Sequence, residues 1–274
     1  VGEVALAALP PQLRDLDTTQ LARRLKRKGQ DTRGEGPTGA PPELTEQQQA
    51  VLARMQSEPG PFLLFGATGS GKTEVYLHAA QRMLDADPQA QALVMVPEIN
   101  LTPQLMARFV ERFGESQVVP MHSGLTPAQR LKAWLAAHAG TARIVLGTRM
   151  AVFASMPHLK LIVVDEEHDP SYKQQEGARY SARDLAVYRG HLEQLPVILG
   201  SATPSLETWQ RTLDGRYRRL TLAARIGQGA MPRVRLLDTN HLPRTRGVLP
   251  ALAAPLLAAV RERLARGEQS LLLL

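Results

Sequence analysis

Four apolar residues, Phe62-Leu63-Leu64-Phe65, run without a spacer into Gly66-Ala67-Thr68-Gly69-Ser70-Gly71-Lys72-Thr73, and a helical apolar spacing begins directly after Thr73. A strand, a glycine-rich loop and a helix in that order can turn consecutive backbone N–H groups inward. The helix N-terminus adds partial positive charge at the same point, so the loop is a cradle for phosphate oxygens. Lys72 is placed to reach the β- and γ-phosphates, and the Thr73 hydroxyl to hold Mg²⁺. The whole octapeptide is therefore expected to bind a nucleotide, with ATP and Mg²⁺ as its ligands.

A second apolar run, Leu161-Ile162-Val163-Val164, has the composition of a strand buried on both faces and ends in Asp165-Glu166-Glu167-His168. Carboxylates at the carboxyl edge of such a strand would face the phosphate loop. Asp165 is expected to hold Mg²⁺ through water, and Glu166 to orient and deprotonate a water attacking the γ-phosphate in line. Alone, the tetrapeptide reads rather as a solvated acidic loop or a small metal site; its pairing with the upstream phosphate loop gives it the catalytic role.

From residue 43 onward, strand-like runs near 62–65, 93–96, 117–120, 143–146, 161–164 and 196–199 alternate with helical patterns such as 73–85 and 126–138. That alternation predicts an α/β fold with a mostly parallel sheet covered on both faces, whose ligands sit beyond the carboxyl ends of the strands. Leu13, Leu16, Leu21 and Leu25 have helical spacing and precede a basic cluster, Arg23, Arg24, Lys26, Arg27 and Lys28, that reads as a solvated helix face. Gly29 to Pro42 has four glycines and three prolines, the composition of a linker. Near residue 225 the pattern loosens into a basic connection with Gly227, Gly229, Pro232 and Pro243. An amphipathic helix is then expected over Leu249 to Arg266, with a strand at Leu271 to Leu274. The expected organisation is thus an N-terminal segment and linker (1–42), a nucleotide-binding lobe (43–225), and a connection with the start of a second lobe (226–274).

With 33 basic against 26 acidic residues, a formal charge of +7 and a pI of about 10.0, the chain suits a polyanionic partner without establishing one. Cysteine is absent, which excludes disulfides and zinc–thiolate sites within these residues. No apolar run has the length of a membrane span and the start lacks a signal-peptide pattern, so the expectation is a cytoplasmic protein with no membrane partner. The opening Val1 and the unfinished Leu271-Leu272-Leu273-Leu274 run lead to the expectation of a fragment of a longer protein.

Further loops follow strand-like runs. They are Val96-Pro97-Glu98 with Leu101-Thr102-Pro103-Gln104, by itself a strand-to-helix loop, His122-Ser123-Gly124-Leu125, Gly147-Thr148-Arg149, whose hydroxyl and guanidinium suit phosphodiester contacts, and Gly200-Ser201-Ala202-Thr203, whose hydroxyls are placed to link the nucleotide cleft to a neighbouring surface. Together these segments resemble the superfamily 2 helicases. Residues 66–73 are similar to motif I, Asp165 to His168 to a variant of motif II, and Ser201 to Thr203 to motif III. Adding Tyr172-Lys173-Gln174-Gln175-Glu176 narrows the resemblance to the primosomal replication-restart helicases, over roughly residues 44–274.

The resemblance implies a RecA-like first motor lobe of an ATP-dependent 3′ to 5′ DNA helicase with Lys72, Asp165, Glu166 and His168 as catalytic groups. It implies Gln48 as an adenine reader, since an amide can pair with both edges of that base. Thr148, Arg149, Tyr172, Lys173, Tyr180, Arg183, Ser201 and Thr203 become DNA-contacting or coupling residues, Tyr172 and Tyr180 lying in an aromatic-rich loop that senses single-stranded DNA. Forked and single-stranded DNA, helicase-loading proteins and single-stranded-DNA-binding protein are the implied partners. The family's trans-cleft arginines and eight zinc-binding cysteines do not occur in these residues, so weak hydrolysis by this segment alone is expected, and zinc only in a longer chain. Residues 1–36 resemble the tail of the family's winged-helix domain. Two other readings remain open from sequence: another superfamily 2 motor acting on RNA or duplex DNA, and a non-catalytic fork-binding scaffold.

Overall fold

A computed structural model of the chain describes residues 9–14, 16–17, 19–23, 42–225, 234–238 and 253–272. Each apolar run forms a strand: β1 (Phe62–Gly66), β2 (Gln91–Met95), β3 (Val118–Met121), β4 (Ile144–Gly147), β5 (Leu159–Val164) and β8 (Val197–Ser201). With an edge strand, β9 (Arg218–Leu222), they make a seven-stranded sheet in the order β3-β4-β2-β5-β8-β1-β9, and every pairing in it is parallel. The pair β6 (Lys173–Gln174) and β7 (Tyr180–Ser181) is a separate antiparallel ribbon.

Alternate side chains of the strands enter two different cores. Leu64, Val94, Leu146, Val163 and Ile198 pack with α1 (Glu46–Ser57), α2 (Lys72–Ala86) and α3 (Pro103–Phe113). Leu93, Val145, Ile162, Val164 and Leu199 pack on the other face with α4 (Pro127–His138) and α5 (Ala182–Glu193). The period of two along each strand therefore produces a sheet buried on both sides, which is why the runs carry no polar alternation. The helices start where the sequence supplies caps. Thr45 with Gln48, and Thr126 with Gln129, form capping boxes, while Thr102, Ser181 and Ser205 each accept a backbone N–H of the first turn.

Strand register matters most for function. Leu63 lies beside Leu199, Val164 beside Leu199 and Met95, and Gly147 beside Met95 and Met121. Six parallel strands consequently stop at nearly one level, and the loops after them share one edge of the sheet.

The observed strands depart from the expected spans by one to three residues. The strand β9 has no counterpart in the sequence reading, because an edge strand with Arg218 and Arg219 exposed offers only Leu220 and Leu222 to the core. Before residue 42, Leu13 is buried against the second core and Leu9, Leu16 and Leu21 pack on it. Gly29 to Pro41, with Arg24 to Lys28, lies outside the described residues, as do the stretches 226–233 and 239–252 of the basic connection. Residues 1–227 form one compact unit and 228–274 another. In the second, a helix α7 (Ala254–Ala265) replaces the longer expected span, with a proline in its first turn setting the start. Leu271 and Leu272 do not form the expected strand. They are 97% and 46% exposed and, among the described residues, pair with no neighbouring strand that would satisfy their backbone.

Leu146 is fully buried in the interior strand β4. Leu146→Ala should lower the unfolding free energy by about 2–5 kcal/mol, as read from urea denaturation.

Candidate nucleotide site and its connections

The loop after β1 borders a cavity of about 390 Å³ lined by Thr68, Gly69, Gly71, Lys72, Thr73, Glu74, Asp165 and Glu166 together with Pro42, Glu43, Thr45, Gln48 and Arg108. Gly69 and Gly71 take φ of +82° and +84°, a conformation that costs residues with a Cβ. Lys72, at the first turn of α2, is 7% exposed; its Nζ donates to the Gly66 carbonyl at 2.9 Å and stands 3.6 Å from Glu166 Oε1. The loop and the carboxylate turn thus meet in this cavity.

That turn is tightly built. Glu166 has φ +44°, a left-handed conformation that non-glycine residues take at a cost, and one held here by surrounding bonds. Asp165 N–H donates to Met95 O (2.9 Å), Glu167 N–H to Gly200 O (3.0 Å) and Asp169 N–H to Glu166 O (2.9 Å). The Asp165 carboxylate accepts from the Tyr76 hydroxyl at 2.9 Å, and its carbonyl from the Tyr172 hydroxyl at 2.7 Å. Burial pushes the Asp165 carboxyl above the usual carboxylate range, against the Tyr76 hydrogen bond, with Glu166 adding to the rise. Both tyrosine hydroxyls are driven well above their ordinary range, chiefly by burial.

His168 joins this turn to the one after β8. Its Nδ1 lies 2.8 Å from Ser201 Oγ and its Nε2 3.3 Å from Thr203 Oγ1, while Ser201 Oγ accepts the Thr203 N–H at 3.0 Å. Glu167 has a fully buried side chain with four donors: Ser205 N–H (2.7 Å), Ser205 Oγ (3.1 Å), Thr208 Oγ1 (2.9 Å) and Arg183 Nη1 (3.1 Å). A buried carboxylate satisfied this fully ties three chain segments together.

Several of the expected site residues are engaged in bonds within the fold. Gln48 lines the cavity, yet it is 1% exposed, its Oε1 accepts the Thr45 N–H (2.9 Å) and its Nε2 donates to Gly71 O (3.1 Å). Its amide therefore braces the phosphate loop through one of its two N–H donors. Tyr172 is 1% exposed and offers no ring face for stacking. Arg183 is committed to Glu167, Asp184 and Ser205 instead of facing a phosphodiester. Ser201 and Thr148 are buried as well, whereas Lys173 and Thr203 are exposed and Arg149 and Tyr180 partly open. Arg149 donates to the carbonyls of Ser171 (3.1 Å) and Lys173 (3.3 Å), and the Tyr180 ring packs edge-on against Phe153, so both anchor the ribbon segment.

Sequence reasoning missed Tyr76 and the Glu74 cluster. Glu74 is buried on α2 with Arg112 and Arg108 as partners and His78 Nε2 at 3.2 Å; burial is the main force pushing that histidine below its usual pKa. The available signal was that an acid and a tyrosine on the inward face of a core helix each need a partner.

The nature of the donors fits a nucleoside triphosphate with Mg²⁺. Backbone N–H groups, a lysine and an open cavity suit phosphates, and among the described residues no three His, Cys, Asp or Glu side chains are arranged to hold a metal ion by themselves. A cation here would rest on Asp165, Thr73, phosphate oxygens and water, the oxygen set Mg²⁺ prefers. A parallel sheet delivering a phosphate loop and a carboxylate turn to one cavity defines a P-loop nucleotide-binding motor lobe. Comparison with known proteins gives the family: the DEAD/DEAH box helicase pattern matches residues 45–212, and the chain belongs to that family. It is 42% identical over 236 residues to the replication restart protein PriA of Bacillus subtilis (strain 168), covering 84% of this chain and 29% of that protein. With PriA of Haemophilus influenzae it shares 41% over 233 residues, covering 84% and 31%. The chain thus spans roughly three-tenths of the length of these relatives. RecG bound to a three-way DNA junction shares the fold, with a TM-score of 0.51 and 22% identity over 84% of this chain and 30% of that one.

A carboxyl whose pKa is higher folded than unfolded favours the folded state when protonated, and that contribution is lost as pH rises through the folded value. Ionisation of Asp165 in the nucleotide- and metal-free protein therefore works against the folded state. Asp165→Asn should raise its Tm by a few degrees, and the gain should shrink as the pH is lowered toward 4. Thermal unfolding at the two pH values checks both.

Proposed function

We propose that the chain is the ATP-binding lobe of a DNA helicase that acts in replication restart. The observation that carries this reading is the meeting of Lys72 and Glu166, 3.6 Å apart, in a cavity that the phosphate loop lines, in a chain 42% identical to PriA. Backbone N–H groups of 69–73 and Lys72 would hold the triphosphate, and Thr73 and Asp165 would hold Mg²⁺, which would supply charge neutralisation on the phosphates. Glu166 accepts the proton of the attacking water. Before substrate arrives, Lys72 faces the Glu166 carboxylate and donates to the Gly66 carbonyl, so phosphate entry exchanges one partner of Lys72 for another and frees Glu166 for its base role.

His168 passes the state of this turn to Ser201 and Thr203, and Tyr172 passes it to the loop that carries Lys173. Forked and single-stranded DNA are the proposed substrates, with translocation 3′ to 5′ in the intact motor, whose arginines completing the cleft come from a second lobe. Helicase-loading proteins and single-stranded-DNA-binding protein are the proposed partners, and the cytoplasm the proposed location. Hydrolysis by the isolated lobe is proposed to be weak, since an arginine of that kind is worth about 10³–10⁵ in related nucleotidases.

Lys72→Ala should lower ATP affinity at least tenfold by calorimetry, whereas Glu166→Gln should retain ATP binding and lose turnover. Forked-DNA unwinding with no action on RNA duplexes is the expected substrate pattern in the full chain. Equal activity on RNA would instead indicate a general nucleic-acid motor. Lys173→Ala should reduce DNA stimulation of ATP hydrolysis more than it weakens fork binding, because phosphate contacts are spread over many residues while this one adjoins Tyr172. Stimulated ATPase rates and a fork titration measure the two effects.

A further inference from the structure

Tyr76 lies one turn beyond Thr73 on α2, with its ring buried in the first core and 1% exposed. Its hydroxyl crosses to the turn after β5 and donates to Asp165 Oδ1 at 2.9 Å. The crossing passes Gly200, in the interior of β8. A Cβ there would stand 1.5 Å from the Tyr76 hydroxyl oxygen, 2.7 Å from its Cζ and 3.2 Å from Asp165 Oδ1. Glycine inside a strand weakens it and marks a close approach, and here the approach is the tyrosine's path to the carboxylate.

We propose that Tyr76, in the space left by Gly200, is a positioning residue that orients the Asp165 carboxylate for the cation of the bound nucleotide. The terminal torsion of an aspartate is broad, so a carboxylate held only by its backbone points in a range of directions. Tyr76 fixes Oδ1 and thereby fixes where the second oxygen points, while the Tyr172 hydroxyl and the Met95 carbonyl hold the Asp165 backbone. Partners that orient a metal-binding group typically change metal affinity 10–100-fold when removed. Because Tyr76 is on the same helix as Lys72 and Thr73, the phosphate-binding and cation-binding halves of the site become one rigid body.

The inference rests on the nucleotide-hydrolysing reading of the site, and the test separates the two. In the full chain, binding of a fluorescent ATP analogue and steady-state ATP hydrolysis are each measured across a Mg²⁺ titration for the unmodified protein, Tyr76→Phe and Gly200→Ala. Tyr76→Phe is expected to raise the half-saturating Mg²⁺ about tenfold in both measurements, with the hydrolysis rate recovering at saturating Mg²⁺. Gly200→Ala, which pushes the hydroxyl aside, should shift the Mg²⁺ dependence in the same direction. A lower rate at every Mg²⁺ concentration with an unchanged midpoint in Tyr76→Phe would make Tyr76 a packing residue and overturn the inference, whatever Gly200→Ala does. Absence of Mg²⁺-dependent ATP binding in the unmodified protein would overturn the functional reading itself.

Discussion

The common level at which six parallel strands end is the constraint on which the rest of this molecule depends. Parallel pairing with both faces covered lets helices fill the space above and below the sheet, and only the carboxyl edge is left for loops. The β1 loop, the β5 turn and the β8 turn emerge side by side because β8 lies between β5 and β1 in the sheet order. A shift of one residue in any of these pairings would invert the two cores and move Asp165 away from Lys72.

On that edge, the chemistry is organised as a set of buried bonds between turns. Asp165 is held by Tyr76 and Tyr172, Glu167 by Arg183, Ser205 and Thr208, and His168 by Ser201 and Thr203. Three consecutive acidic residues therefore serve three directions: Asp165 inward to the cavity and α2, Glu166 to Lys72, and Glu167 back to α5 and the start of α6 (Leu206–Leu213). The left-handed φ of Glu166 makes this divergence possible, since an extended turn would point neighbouring carboxylates to alternate faces only. Breaking any one of the three connections leaves a buried charge or hydroxyl unpaired, so the turn responds as a unit.

This wiring also changes how the segment after the acidic turn is understood. Tyr172 and Arg183 have the composition of a nucleic-acid surface but are spent on internal bonds, whereas Lys173, between them in sequence, is exposed. A contact made at Lys173 would act on a residue whose neighbour grips the Asp165 carbonyl. The Arg149 guanidinium, donating to the carbonyls on both sides of Tyr172, keeps that lever short.

The amino-acid sequence by itself determined the fold class, the phosphate loop, the acidic turn and the placement of six strands, because each depends on local pattern: doubly buried runs, glycines needing positive φ, and carboxylates following a strand. It also located the loops that carry chemistry. Only the tertiary structure decided which side chains face ligand and which are consumed in holding the site. Gln48, Tyr172 and Arg183 look from sequence like exposed readers, yet long-range partners at Gly71, Asp165 and Glu167 take their donors. Tyr76 and Gly200 gave no sign of a shared purpose, being 124 positions apart in sequence, and only the packing of α2 against β8 brings a hydroxyl through the gap that a missing Cβ leaves. Local pattern cannot specify such pairs, because hydrogen-bond partners across a sheet are chosen by register and burial, which belong to the whole fold.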